Sequence, residues 1–346
     1  MTNGARPGRA DVVAARSKAR YRNYRLHRKT RRAVRSFRSH LQYLGQRAYP
    51  TKGQFAERLA LEPGSPLDGR QNLIVVGATQ LDASISHITQ AYEGAGRLLS
   101  TTGGPSLPWS AMVLARTAFE GSLHILDLLG PHISPELQLA RMAAQELGAI
   151  SDSEKMNDEV PELPPKAVVA ESLAGKRANI ESWCLETGLT CPQSRQGKIT
   201  TSAGEVAVFP FNMVDAAKSW WAPVGNHTYR WLCRYTHAGV QVTQGHLSDP
   251  LAAIDVANFF AVFATVTEAV WMAMDAYSRV WVGIPNNRVM RRMSNVKSYC
   301  GSVFDHDLPE RPPEAGELEF RSIIESALES GLVRDRRWAR NLSRRI

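Results

Sequence analysis

The sequence has few cysteines, few β-strand patterns and no common catalytic motif, and each shortage excludes a class of protein. Its four cysteines, at positions 184, 191, 233 and 300, include no C-x-x-C pair, which excludes a zinc knuckle or a thioredoxin-type motif of that spacing. No P-loop, Gly-x-Ser-x-Gly or His-Glu-x-x-His motif is present, so the common nucleotide, hydrolase and zinc-protease signatures are absent. We therefore expect no cofactor and no bound metal.

The sequence also lacks a long apolar run that is free of charge. The stretch from Arg6 to Arg47 has no uninterrupted apolar core such as a signal peptide requires. The apolar segment 254–284 contains Asp255 and Glu268, and ionisable groups are costly inside a bilayer. The sequence thus predicts no transmembrane segment and a cytoplasmic protein with reduced thiols.

Positive charge is abundant, and it is concentrated at one end of the chain. Residues 1–50 contain 14 Lys and Arg and a single acidic residue, Asp11, for a net charge of +13. The whole chain of 346 residues carries +9, so the other 296 residues sum to −4. We predict a basic arm over residues 1–49 on a slightly acidic globular body.

Helical periodicity is frequent, which predicts a mainly α protein: an antiparallel helical bundle with a basic N-terminal helical extension. Proline and glycine predict a linker at 50–68 that separates the arm from a bundle domain at 69–282, so the body should fold without the arm. Residues 1–20 and 151–165 are predicted to be irregular, as is the beginning of 283–346, which ends in a helix and a basic tail. The helices within the body are predicted over 71–99, 109–129, 135–148, 166–188, 213–221, 225–243 and 251–281, with a short strand or hairpin inside 191–211.

Three of these helices are apolar except for one line of polar residues. The lines comprise Arg116, Glu120, His124 and Asp127; Asn226, Arg230, Cys233 and His237; and Asp255, Asn258, Thr265, Glu268 and Asp275. They could face solvent, or form ion pairs between helices, or build a site. In the last case an imidazole can transfer a proton near neutral pH and an arginine can stabilise a phosphate. Those groups suffice for phosphodiester cleavage by the RNA 2′-hydroxyl without a metal.

Two segments carry a resemblance to a known family. LARTAFEGSLHILDLL (114–129), followed by YRWLCRYTHAG (229–239), resembles helical bacterial proteins of the HEPN superfamily, and Arg230-x6-His237 fits the Arg-x4–6-His pattern of HEPN nucleases. The resemblance covers about residues 70–282 and implies an antiparallel bundle, often a homodimer with its site across the dimer. It also implies that His237 is the general acid/base, Arg230 the phosphate clamp, and Arg116 and Glu120 a supporting pair.

The basic arm contains RYRNYRLHRKTRRAVRSFRSH (20–40), in which arginines alternate with Tyr21, Tyr24 and Phe37. This pattern suits phosphate contacts and base stacking, although a helix docked on the acidic body or lying on an anionic membrane would have a similar composition. The residues predicted to bind nucleic acid are Arg20, Arg22, Arg25, Arg28, Lys29, Arg31, Arg32, Arg35 and Arg38.

Two functional hypotheses follow from the sequence. The first is an RNA-directed HEPN-like protein that acts as a metal-independent endoribonuclease in defence or as a toxin. The alternative is a non-catalytic helical module that binds nucleic acid or a protein partner.

Overall fold

The structure, a computed structural model, describes residues 9–44, 67–101, 109–130, 133–159, 166–192, 196–221, 224–236 and 249–307. In this part of the chain the protein is mainly α, as predicted. The helices are α1 (Arg9–Leu44), α2 (Gly69–Thr101), α3 (Trp109–Leu129), α4 (Pro135–Glu159), α5 (Lys166–Glu186), α6 (Met213–Trp221), α7 (Val224–Thr236), α8 (Asp249–Ala276) and α9 (Asn287–Asp307). A π-helical turn, Tyr277–Trp281, follows α8.

A two-stranded antiparallel sheet interrupts the helices between α5 and α6. Its strands are β1 (Gly197–Thr200) and β2 (Val206–Phe209), and Gly197 pairs with Phe209. This hairpin lies within the stretch 191–211, where the sequence predicts a short strand or hairpin, and it packs against α4.

Several helices begin where the sequence supplies a capping side chain. At α2 the amide N–H of Gln71 donates to Asp68 Oδ1 at 2.7 Å, and that of Asp68 donates to Gln71 Oε1 at 3.0 Å. This reciprocal pair is a capping box, which satisfies amide groups that lack partners within the helix. At α9, Asn286 Oδ1 accepts from the Val289 amide at 3.0 Å.

The described helices enclose one hydrophobic core. Helix α2 contacts α1, α3, α4 and α5, while α8 contacts α3, α7 and α9. Tyr92 of α2 and Phe263 of α8 stack in this core with ring centroids 5.3 Å apart, and the Tyr92 hydroxyl lies 3.0 Å from Thr267 Oγ1. Burial of aromatic surface of this kind is the main force that holds such helices together.

The basic helix α1 is packed into this core, between α2 and α9. Its Leu26, Val34 and Phe37 side chains are fully buried, and they recur at helical spacing along one face. Gly96 of α2 permits the close approach, because a Cβ atom at that position would lie 2.5 Å from Thr30 Oγ1. The sequence allowed the arm to be a helix docked on the body, and the structure shows this docked arrangement for α1.

Three predictions from the sequence are wrong in detail. Residues 9–20 were predicted to be irregular, but helix α1 begins at Arg9, since this stretch contains no glycine or proline and is rich in alanine. Helix α4 continues to Glu159 instead of ending near 148, because Arg177 of α5 holds Glu154 through two hydrogen bonds of 3.1 and 3.0 Å. Residues 287–307 form α9 and not an irregular segment.

Other predictions lie outside the described residues: most of the linker at 50–68, the C-terminal helix and the basic tail. No helix in the described ranges is long and apolar enough to cross a membrane.

Candidate functional site

The face of α1 that points away from the core is strongly basic. Among the arginines of α1 from Arg20 onward, seven are exposed: Arg20, Arg25, Arg28, Arg31, Arg32, Arg35 and Arg38. At about 100° per residue, they lie opposite the buried line of Leu26 and Phe37. We call this surface the outer face of α1. It results directly from the sequence, because apolar residues occupy one side of the helix and arginines the other.

Four of these arginines, Arg20, Arg28, Arg32 and Arg35, have guanidinium groups with no hydrogen-bond or ion-pair partner within the described ranges. Arg31 and Arg38 share one carboxylate, that of Glu93 on α2, at 3.9 and 3.5 Å. The outer face therefore keeps most of its positive charge, and that charge is available to an anionic ligand.

Three of the predicted nucleic-acid-binding residues contact aromatic rings of the body instead. The guanidinium of Arg22 lies 5.1 Å from the ring centroid of Phe260. Arg25 and Lys29 lie 5.3 and 5.5 Å from the ring of Tyr299 on α9. Burial, followed by the charge of Arg25, lowers the pKa of Lys29. These cation–π contacts help to fix α1 on the body.

Two aromatic side chains are exposed among the arginines. Tyr21 and Tyr24 are 63% and 53% accessible to solvent, and both project from the outer face of α1. Phe37, which the sequence groups with them as a stacking residue, is instead fully buried and meets Tyr277 edge to face at 6.3 Å. Two of the three predicted stacking residues are thus placed where a base could reach them.

The N-terminal part of α9 extends the basic surface. Arg288 and Arg291 are exposed, and Arg292 donates a hydrogen bond of 2.7 Å to the carbonyl oxygen of Arg32 and another to Ser36 Oγ. These arginines were not among the predicted site residues, because Pro285 and the prolines after residue 308 suggested an irregular segment. The signal was present in Val289, Met293, Val296 and Cys300, which recur at helical spacing and are buried.

A second cluster lies between α3 and α7. Arg116 Nε donates to Glu120 Oε1 at 2.7 Å, and the guanidinium lies 5.6 Å from the ring centroid of Tyr229. Burial opposes the charge of Arg116, but the hydrogen bond and the negative charge of Glu120 raise its pKa overall. Glu120 therefore neutralises Arg116.

Tyr229 was not among the predicted site residues, although it lies next to Arg230 in the sequence. Burial, together with the nearby Cys233 and Glu120, raises the pKa of Tyr229 to about 12, so its phenol is protonated at neutral pH. Arg230 is exposed on α7, and His237 lies outside the described residues. The structure thus brings Arg116, Glu120 and Tyr229 together, while the catalytic pair of Arg230 and His237 stays a prediction.

Three further members of the polar lines, His124, Asp127 and Glu268, have structural partners. His124 packs on the ring of Phe211 with centroids 4.6 Å apart, and Asp127 forms an ion pair of 2.9 Å with Arg141. Glu268 pairs with Lys297 of α9 at 3.1 Å in a largely buried position. These groups connect helices, which was the structural alternative for them.

The ranges described by the structure contain no group of three or more His, Cys, Asp or Glu side chains placed to hold a metal ion. No known protein family, curated protein or solved structure matches this chain.

Proposed function

We propose that this protein binds RNA or another single-stranded nucleic acid through the outer face of α1. The observation that carries the proposal is the shared position of unpaired arginines and exposed tyrosines on one side of a docked helix. Arginine binds phosphate by bidentate hydrogen bonds, and aromatic rings stack on bases of any sequence.

The docking of α1 strengthens this proposal. Its contacts with α2 and α9 fix the helix before any ligand arrives, so binding need not order a flexible segment. The arginines at positions 20, 28, 32 and 35 span about 22 Å of helix axis, at about 1.5 Å per residue. That length matches several nucleotides of an extended strand.

A charge-removal experiment tests this proposal. Replacing Arg20, Arg28, Arg32 and Arg35 by Gln should strongly weaken binding of a fluorescently labelled single-stranded RNA, measured by anisotropy at low salt. The matched control replaces four exposed lysines on other elements by Gln: Lys155, Lys176, Lys198 and Lys218. Both variants have the same net charge, so equal affinities would contradict a binding site on α1. Binding to anionic vesicles without binding to RNA would favour a membrane surface instead.

Exposed tyrosines should contribute separately from the arginines. Replacing Tyr21 and Tyr24 by Leu keeps the charge and removes the aromatic rings. The binding free energy should become weaker by about 1–3 kcal/mol for each base that stacks on one of these tyrosines. An unchanged affinity would restrict the interaction to phosphates.

A second candidate function is the metal-independent, HEPN-like endoribonuclease in an antiparallel bundle. In its favour, α3 and α7 pack together and bring Arg116, Glu120 and Tyr229 into contact. The described part of this cluster supplies an arginine and a protonated phenol, and His237 would have to supply the base. The resemblance also suggests a homodimer, which sedimentation would detect.

Cleavage of labelled RNA in EDTA tests the ribonuclease. His237→Ala and Arg230→Ala should abolish cleavage while RNA binding persists. If the unaltered protein does not cleave the RNA, the ribonuclease is excluded and the non-catalytic binding module is the function.

A further inference from the structure

A cleft of about 340 Å³ lies between the C-terminal half of α1 and the N-terminus of α9. Its walls carry three guanidinium groups, two hydroxyls and an imidazole, contributed by Arg35, Arg288, Arg292, Ser36, Ser39 and His40. Guanidinium and hydroxyl groups are hydrogen-bond donors, and the three arginines give the cleft a strong positive potential. The composition is that of an anion site.

The positive charge of the cleft is not neutralised within the described part of the chain. No carboxylate there forms an ion pair with Arg35, Arg288 or Arg292. Burial lowers the pKa of Arg292, and the nearby charges of Arg288, Arg32 and Arg291 lower it further. Cations crowded in this way repel one another until an anion joins them.

Two further features suit an anion. Asn286 lines the cleft and caps α9, so the cleft lies at the positive end of a 21-residue helix. His40 contributes a buried Nε2 atom that has no hydrogen-bond partner among the described residues. Burial lowers the pKa of this imidazole, and a hydrogen bond to the backbone of Ile284 opposes that effect. A bound anion would favour the protonated ring, in which Nε2 carries a hydrogen and acts as a donor.

We propose that this cleft binds the terminal phosphate of a nucleic-acid strand, an inference that rests on the proposed function. A phosphomonoester carries about −1.5 to −2 charges and three acceptor oxygens at pH 7, which three arginines and two serines match. An internal phosphodiester carries a single charge and two free oxygens. The outer face of α1 leads to the cleft through Arg28 and Arg32, so a strand bound there would end at it.

The test compares three forms of one single-stranded RNA, with a 5′-phosphate, with a 3′-phosphate and with neither. The full-length protein should bind one of the phosphorylated forms about tenfold more tightly than the unphosphorylated form, which is about 1.4 kcal/mol, because the terminal phosphate adds charged hydrogen bonds with the arginines. Arg288→Ala should remove this preference, and Arg288 is exposed, so the variant should keep its fold, which far-UV circular dichroism would check. The control Arg20→Ala, at the far end of the outer face, should weaken the binding of all three RNAs and keep the preference for the phosphorylated form.

The outcomes separate this inference from the function on which it rests. If all three RNAs bind with equal affinity, the terminal-phosphate site is refuted and the α1 surface stands. If none binds, both proposals fail. A preference that survives Arg288→Ala would also place the terminal phosphate outside this cleft.

Discussion

The hydroxyl of Tyr299 donates a hydrogen bond of 3.0 Å to the backbone carbonyl oxygen of Arg22. This contact connects α9 to the basic helix across 277 positions of sequence, and the Tyr299 ring also lies beside Arg25 and Lys29. The most basic segment of the protein is therefore part of its folded body. Its arginines therefore form a fixed surface.

The close approach of α1 to α2 should make Gly96 intolerant of a side chain. Gly96→Ala places a methyl group 2.5 Å from Thr30 Oγ1. Thr30 is buried and its hydroxyl donates to the carbonyl oxygen of His27 at 2.9 Å, so moving it aside is costly. We expect a loss of about 1–3 kcal/mol in the free energy of unfolding, measured with urea. The control is Gly175→Ala in α5, where no atom lies within 4 Å of the added group. That change should stabilise the protein by up to about 1 kcal/mol, and equal effects of the two substitutions would contradict the docking of α1.

The buried pair of Lys297 and Glu268 should show a strong asymmetry between single and double substitution. The side chains are only 8% and 13% exposed. Lys297→Met leaves the Glu268 carboxylate buried without its partner, which should cost about 3–5 kcal/mol of stability. Adding Glu268→Met removes the uncompensated charge and should restore most of that loss. A double variant as unstable as the single one would show that packing, and not charge, dominates at this contact.

Acidification should destabilise the protein through His124. Burial lowers its pKa from 6.5 to about 4, and a hydrogen bond with Gln145 opposes this shift only in part. The unfolded chain therefore binds a proton on His124 at a higher pH than the folded protein does. The contribution of His124 to the free energy of unfolding is therefore complete above pH 6.5 and is lost as the pH falls towards 4.

Between pH 7 and pH 5 this residue should account for about 2 kcal/mol of lost stability. Urea unfolding at the two pH values would measure it, with His124→Phe as the reference, since phenylalanine keeps the packing against Phe211 and does not titrate. An equal loss in the protein and the variant would exclude His124 as the cause.

Arg116 and Glu120 should be coupled more strongly than a matched surface pair. Asp275 and Arg279 have the same i, i+4 spacing and an N–O distance of 2.6 Å, but the arginine side chain is 58% exposed, compared with 18% for Arg116. Exposed pairs of this kind contribute about 0.3–0.5 kcal/mol, and we expect roughly 1 kcal/mol or more between Arg116 and Glu120. Double-mutant cycles on both pairs would measure the difference. A coupling between Arg116 and Glu120 no larger than that between Asp275 and Arg279 would mean that burial adds nothing to the pair.

How far the sequence predicts this structure depends on whether a contact is local. Helix α3 has the predicted bounds, 109–129, because its apolar residues and the Gly130 that ends it lie next to one another. The extension of α4 is supported by Arg177, which comes from another helix, and the local signal was only the absence of glycine and proline over 149–159. The docking of α1 depends on Gly96 and Tyr299, which only the folded chain brings beside it.

The same distinction applies to the candidate sites. The arginines and tyrosines of the outer face were predicted because they belong to one helix. The cleft between α1 and α9 could not be predicted, since Arg35 and Arg288 are far apart in sequence and meet only through tertiary packing.

The salt dependence of RNA binding tests the central claim most directly. Each phosphate that arginine neutralises on a single strand contributes about −0.7 to the slope of log affinity against log salt concentration. Replacing Arg20, Arg28, Arg32 and Arg35 by Gln should therefore make this slope less steep by about 3, while the control with four lysines replaced should keep the original slope. If the arginine variant binds RNA with the same slope as the unaltered protein, the outer face of α1 is not the nucleic-acid contact.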